Sequence, residues 1–352
     1  MKTGKTLTQL ANELTRINET KKDLIVPVSK MEMDKEAQIK IDGIDSLPLN
    51  NWAHGQLSSY TDIPKQYYDR IKSENPSLLA DNVNHSLSKT TQDKRLVRVL
   101  DGNVRALLSN RYRVLDSYDL AETVLPIMLN KSMNVLSSEI TEKNLYIRAV
   151  MPKLETEIKK GDIVQYGIQI SSSDVGAGSL RVEPLIYRLI CTNGLITSQA
   201  LRKYHIGKAS GDFDDVREIL SDKAKELTDA AFWQSVYDVV LNSLNPEIFE
   251  QQVNLLRQAS EQKITNYNLE QVIDVTCKHL NYSATKDIKN NLLAQLANGN
   301  EGAGLTKWGL ANSFTALASH NESIGFDDSV ELERIGGKII TLSNSDWMKI
   351  AS

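Results

Sequence analysis

The residues best placed to do chemistry in this chain are arginines facing turns rich in small and acidic residues. Leu96–Leu100 and Val104–Leu108, in a β region that begins near Lys94, are two β-rich runs on either side of Asp101-Gly102, the short-range signal of a hairpin. With a two-residue loop, Arg98 stands opposite Arg105. Like charges opposed on a sheet need anions beside them, either protein carboxylates or ligand phosphates, and a loop that also takes in Asn103 shifts the register and removes the pairing. A second candidate is the run Ser171-Ser172-Ser173-Asp174, followed by Gly176-Ala177-Gly178-Ser179. Asp174 among hydroxyls suits a metal or acid–base carboxylate, and glycine-rich turns can cradle phosphate through backbone N–H groups. A phosphate loop of the nucleotide-hydrolase type needs a following Lys and a helix N-terminus, whereas here a strand follows. Ser172, Asp174, Gly176 and Gly178 are therefore read as a hairpin loop of functional interest, with Asp174 as an Asx-type turn former.

Cys191 is a nucleophile only if a base lies beside it, and His205 has no spacing that compels contact, so the plain reading is a buried, inert cysteine at a strand end. Asn193-Gly194 is read as a tight turn tolerant of positive φ. Two cysteines and five scattered histidines form neither a disulfide framework nor a zinc site. No catalytic residue, metal or cofactor is assigned.

Charge is the next constraint. The chain carries −4 overall, but residues 89–113 hold seven cations against Asp93 and Asp101, a local +5 on a background of −9. Lys94, Arg95, Arg98, Arg105, Arg111, Arg113, Arg181, Arg188, Arg202 and Lys203 are the candidate phosphate contacts. Tyr112, Tyr166, Tyr187 and Tyr204 lie near them as stacking surfaces.

The elements that must position these residues follow from periodicity. Leu7, Leu10, Leu14 and Ile17 repeat as one face of a helix capped by Thr6. Residues 29–50 suggest a connector or short hairpin, and Pro64 a helix start capped by Thr61 or Asp62. A helix over Tyr118–Leu129 precedes strands at Met133–Leu136, Leu145–Met151, Ile163–Ser171 and Leu180–Cys191. Beyond Gly211 the spacing is helical, with Asn245-Pro246 opening one helix and Gly299 closing another. Gly325–Leu342 is read as a turn and a final short strand. The fold class is α+β, with a central antiparallel or mixed sheet. Four regions are expected: 1–88 helical or mixed, 89–208 β-rich core, 209–324 helical, and 325–352 a strand or tail returning to the core. With no secretory h-region and no membrane-length apolar run, the expected location is cytoplasmic, away from membranes.

Several motifs together resemble the DUF932 family of phage, plasmid and prophage proteins. They are Ser171–Gly176 and Arg188–Gly194; Ile63-Pro64 with Tyr67-Tyr68; Gly102–Ala106 with Ser109, Arg111, Tyr112, Arg113 and Asp116; and Leu310–Thr315 with Glu333 and Gly336-Gly337. The resemblance spans roughly residues 50–345. It departs at Ser172, where relatives often place Asn, and at Asp174-Val175-Gly176, where one branch shows His-Asp-Gly. It implies mobile-element biology in the cytoplasm of a bacterial host, and it carries no catalytic residue.

Three functions follow in order. The first is binding of single-stranded DNA or another polyanion, with annealing in recombination or replication as its use. The second is a homo-oligomeric structural or host-interaction protein with its interface in the helical half. The third is an enzyme using Ser171–Ser179 with Cys191.

Overall fold

The computed structural model describes residues 1–90, 92–197, 222–299 and 303–352. Helix α1 (Leu7–Thr20) starts at a capping box in which Thr6 and Gln9 satisfy each other's backbone N–H groups, and it buries Leu10, Leu14 and Ile17. Strand β1 (Lys22–Pro27) runs antiparallel to β5 (Lys94–Leu100), which pairs with β6 (Asn103–Ser109). The basic hairpin therefore belongs to an N-terminal sheet. Between β1 and β5 lie β2 (Met31–Met33), β3 (Ile39–Ile41) and β4 (Ile44–Leu47), a three-stranded meander where the sequence suggested a connector or short hairpin. Strands this short show no usable period. Helices α2 (Asn51–Tyr60), α3 (Lys65–Glu74) and α4 (Pro76–Leu87) close this unit over Val26, Ile39, Tyr68, Leu79, Val97 and Val104. The cap of α3 is Pro64 itself, not Thr61 or Asp62.

Helix α5 (Ser117–Asn130) leads into a five-stranded antiparallel meander: β7 (Asn134–Ile140), β8 (Leu145–Lys159), β9 (Asp162–Ser172), β10 (Arg181–Arg188) and β11 (Asn193–Ile196). One face of this sheet, with Ile147, Ala149, Ile168 and Ile170, packs on α1, α5 and α6 (Asp222–Ser243). The other face meets helices α7 (Pro246–Glu261), α8 (Leu269–His279), α9 (Lys286–Ala297), α10 (Lys307–His320), α11 (Phe326–Ile340) and α12 (Asn344–Ala351) across a core centred on Tyr166, Phe249, Trp308 and Phe314. Covering both faces explains the nearly continuous burial along β9 and the absence of polar alternation there.

Two local expectations are corrected. Gly325–Leu342 is not a turn and strand, because α11 runs through it. Its Gly336-Gly337 lowers helix propensity but lets the helix touch the sheet: a Cβ on Gly337 would lie 1.9 Å from the Ile196 carbonyl oxygen. Asn193-Gly194 is not a turn either, since both residues pair with β10, and the positive φ falls on Thr192. Among the described residues no helix is long and apolar enough to cross a membrane.

Candidate functional site

The sequence motifs gather into two buried polar centres. The first forms where the N-terminal sheet, the start of α5 and the turn after β9 meet. Asp101 and Gly102 make a two-residue loop at φ 50° and 77°, yet a bulge next to Arg98 places it opposite Ala106 rather than Arg105. The two guanidiniums still share a neighbourhood, and protein carboxylates balance them. Arg98 Nε and Nη2 grip Asp23 at 2.8 and 3.0 Å, Nη2 also reaches Asp116 at 2.6 Å, and Nη1 donates to the Asp174 carbonyl at 2.6 Å. Arg105 Nη1 stands 3.5 Å from Asp174 Oδ2.

Asp174 caps a helix from 57 residues away. Its Oδ1 accepts from the Ser117 backbone N–H at 2.9 Å and from the Ser117 hydroxyl at 2.7 Å, satisfying the start of α5 that the local Asp116 side chain leaves uncapped. The turn is held by Trp52 Nε1 and Gln56 Nε2, both donating to the Val175 carbonyl at 2.8 Å, and by Tyr112, whose hydroxyl donates to Ser173 O. Gly176, at φ 76°, brings the backbone against Leu108, where a Cβ would come within 2.6 Å. Burial pushes the Asp174 carboxyl up and the Arg105 guanidinium down from their ordinary values. For Asp116 burial acts in the same upward direction, but Arg98 and Lys21 outweigh it and the carboxyl is lowered.

The second centre joins the five-stranded sheet to the helices. Arg188 Nε and Nη2 clamp Asp162 at 2.6 and 3.0 Å, Trp308 Nε1 donates to the same carboxylate at 2.9 Å, and Arg188 Nη1 lies 2.8 Å from Cys191 Sγ. Asn193 Nδ2 donates to Thr315 Oγ1 at 2.5 Å and Asn312 Oδ1 at 3.2 Å. Arg148 and Glu333 form a fully buried ion pair, Nη2 to Oε2 at 2.6 Å, with Gln169 accepting from Arg148 Nε. Burial pushes Glu333 up and Arg148 down. A Cβ on Gly194 would press on the Leu185 and Met1 side chains at 3.1 and 3.2 Å.

Residues 106–335 match a family described only as a domain of unknown function, DUF932. The chain belongs to the DUF932 family. No curated protein matches it, and no solved structure does. Several of its resemblance residues lie in the two centres: Arg105, Tyr112, Asp116 and Asp174 in one, Arg188, Asn193, Asn312, Thr315 and Glu333 in the other.

The candidate phosphate contacts fall apart accordingly. Arg98, Arg105 and Arg188 are buried against carboxylates, and Arg113 pairs with Asp229 at 2.6 Å. Arg181 opens β10 opposite Ser171, in a different sheet from the basic hairpin. Tyr166 is buried with its hydroxyl on Ser243 O, so its ring is not a stacking surface. Ser172 is buried in β9, whereas Gly176 and Gly178 are exposed at the turn. Arg202, Lys203, Tyr204 and His205 lie outside the described residues. Lys94 and Arg111 are exposed, and Arg95 is half-buried with its guanidinium 3.5 Å over the Tyr60 ring. Asp23, Trp52, Gln56 and Ser117 were missed as site residues, because nothing local in the sequence links Asp23 to Arg98, or the others to Asp174 and Val175.

Proposed function

We propose that this DUF932 protein is a non-catalytic nucleic-acid-binding protein serving a mobile element, and that it contacts single-stranded DNA through one end of the N-terminal sheet. The observation that carries this reading is the Arg95–Tyr60 stack beside exposed Lys94. The register sets Arg95 opposite Ser109, so Arg111 follows two residues beyond, and exposed Lys89 precedes the strand. A guanidinium held over a ring joins a cation to an aromatic surface, a combination suited to a nucleobase, while nearby lysines meet phosphates. The buried arginines are left out of this interface, since contact with a polymer would require breaking their carboxylate pairs.

Binding of oligo(dT) by the full chain should weaken steeply with salt. The double variant Lys94→Ala/Arg95→Ala should lower affinity and flatten the log–log salt dependence by about 1–2. Affinity indifferent to salt, or unchanged in the double variant, removes the proposal.

A further inference from the structure

Four arginines are buried among the described residues. Arg98 and Arg188 each lay the Nε/Nη2 edge of the guanidinium along one carboxylate, while Arg148 gives Nε to Gln169 and Nη1 to Glu333 Oε1, its Nη2 lying 2.6 Å from Glu333 Oε2 as an ion pair without hydrogen-bond geometry. Arg105 differs. It is 8 % exposed, its Nη1 has only the 3.5 Å contact to Asp174 Oδ2, and neither Nε nor Nη2 has a hydrogen-bond partner. That edge carries two parallel N–H donors, spaced to meet two oxygens of one carboxylate or phosphate. Buried donors are almost always satisfied, so an unmatched pair on one edge indicates a ligand of that shape.

The surroundings favour an anion at the same place. The 14-residue helix α5 points its first N–H groups at Asp174, and the chain's own carboxylate already sits there, with Oδ2 loosely held. The cover is the turn after β9, exposed at Gly176 and Gly178.

We propose that this centre is a binding site for a small oxyanion, the phosphate or carboxylate group of a small molecule, gripped bidentately by Nε and Nη2 of Arg105 and admitted by movement of the Gly176–Gly178 turn. The site is independent of the surface proposed for DNA, because a polymer backbone has no access to a buried guanidinium. Facing it are Arg98 from β5, Asp23 from β1, Asp116 and Asp119 from α5, Tyr112, Asp174 and the neighbouring Lys21. Arg98, Arg105 and Lys21 stand against Asp23, Asp116, Asp119 and Asp174, so the cluster already carries an excess carboxylate. An added anion is therefore best accepted when Asp174 takes a proton from solvent, which its burial favours.

The test compares thermal midpoints of the full chain in potassium phosphate, potassium formate and potassium chloride at matched ionic strength. The expected result is a rise of about 3–5 °C over chloride with at least one oxyanion, larger on the acid side of neutrality. It should be lost in Arg105→Lys, which keeps the charge without the fork, and kept in Arg181→Lys. A rise with phosphate alone assigns a phosphate group, and a rise with formate alone a carboxylate. Equal midpoints in all three salts, or the same rise in Arg105→Lys, overturn the site. Should Arg105→Lys fail to fold, wild-type protein labelled at arginine nitrogen decides. A buried Nε–H resonance shifting on addition of phosphate or formate supports the site, and buried Nε–H resonances that stay fixed reject it.

Discussion

At the seam between the five-stranded sheet and the helices, Arg188 clamps Asp162 with its Nε/Nη2 edge, and Arg148 gives Nε to Gln169 and Nη1 to Glu333, with Nη2 and Oε2 held together as an ion pair. Beneath the turn after β9, Arg98 is matched in the same way by Asp23 and Asp116, but Arg105 beside it keeps that edge unmatched. The contrast separates two uses of a buried cation. A saturated pair gives little net stability over an apolar substitute but fixes how two layers dock, because removing either partner strands the other in low dielectric. An unsaturated one retains binding capacity at a cost to the fold.

The largest effect is expected at the buried Arg148–Glu333 pair. Glu333→Ala strands Arg148 and should cost about 3–5 kcal/mol in chemical denaturation, with Arg148→Met/Glu333→Leu recovering much of it. If Glu333→Ala proves neutral, the seam is not closed as described.

A smaller effect is expected at the Asp174 centre. Asp174→Asn keeps an oxygen for the cap on α5 and trades the loose contact to Arg105 for relief of a buried charge, so it should change stability by no more than about 1 kcal/mol near neutrality. It should also change the pH profile. Burial raises the folded-state value of Asp174, so the folded chain takes up this proton before the unfolded chain does. That contribution is fully present below the ordinary carboxyl value of about 3.9 and is lost as pH rises through the raised folded value. Asp174→Asn should flatten that part of the profile. A difference between wild type and variant that does not vary with pH would mean that Asp174 stays ionised in the fold.

A stability effect as small belongs to the surface pair. Lys94→Ala/Arg95→Ala should cost no more than about 1 kcal/mol, while changing DNA binding by the larger factor. A loss comparable to that at Glu333 would place Arg95 among the structural arginines instead.

Much of this molecule can be read residue by residue. The Thr6 cap, the Asp101-Gly102 loop, the Asn245 cap with Pro246 opening α7 and the strand–turn–strand around Gly176 all form where spacing and turn chemistry predict them, because each is settled by contacts within a few residues. Gly336-Gly337 misled because the local helix penalty was visible and the approach of Ile196 was not.

The chain order alone determined the α+β class, the placement of most elements and the motifs that mark the family. Only the tertiary structure decided what the arginines do. A charge in a strand carries the same local signal whether a carboxylate or a ligand faces it. Asp23, 75 residues from Arg98, and Asp174, 69 from Arg105, come into reach only when the sheets and α5 close around them. At such separations desolvation and Coulomb energy are set by packing, and spacing in the sequence cannot encode them.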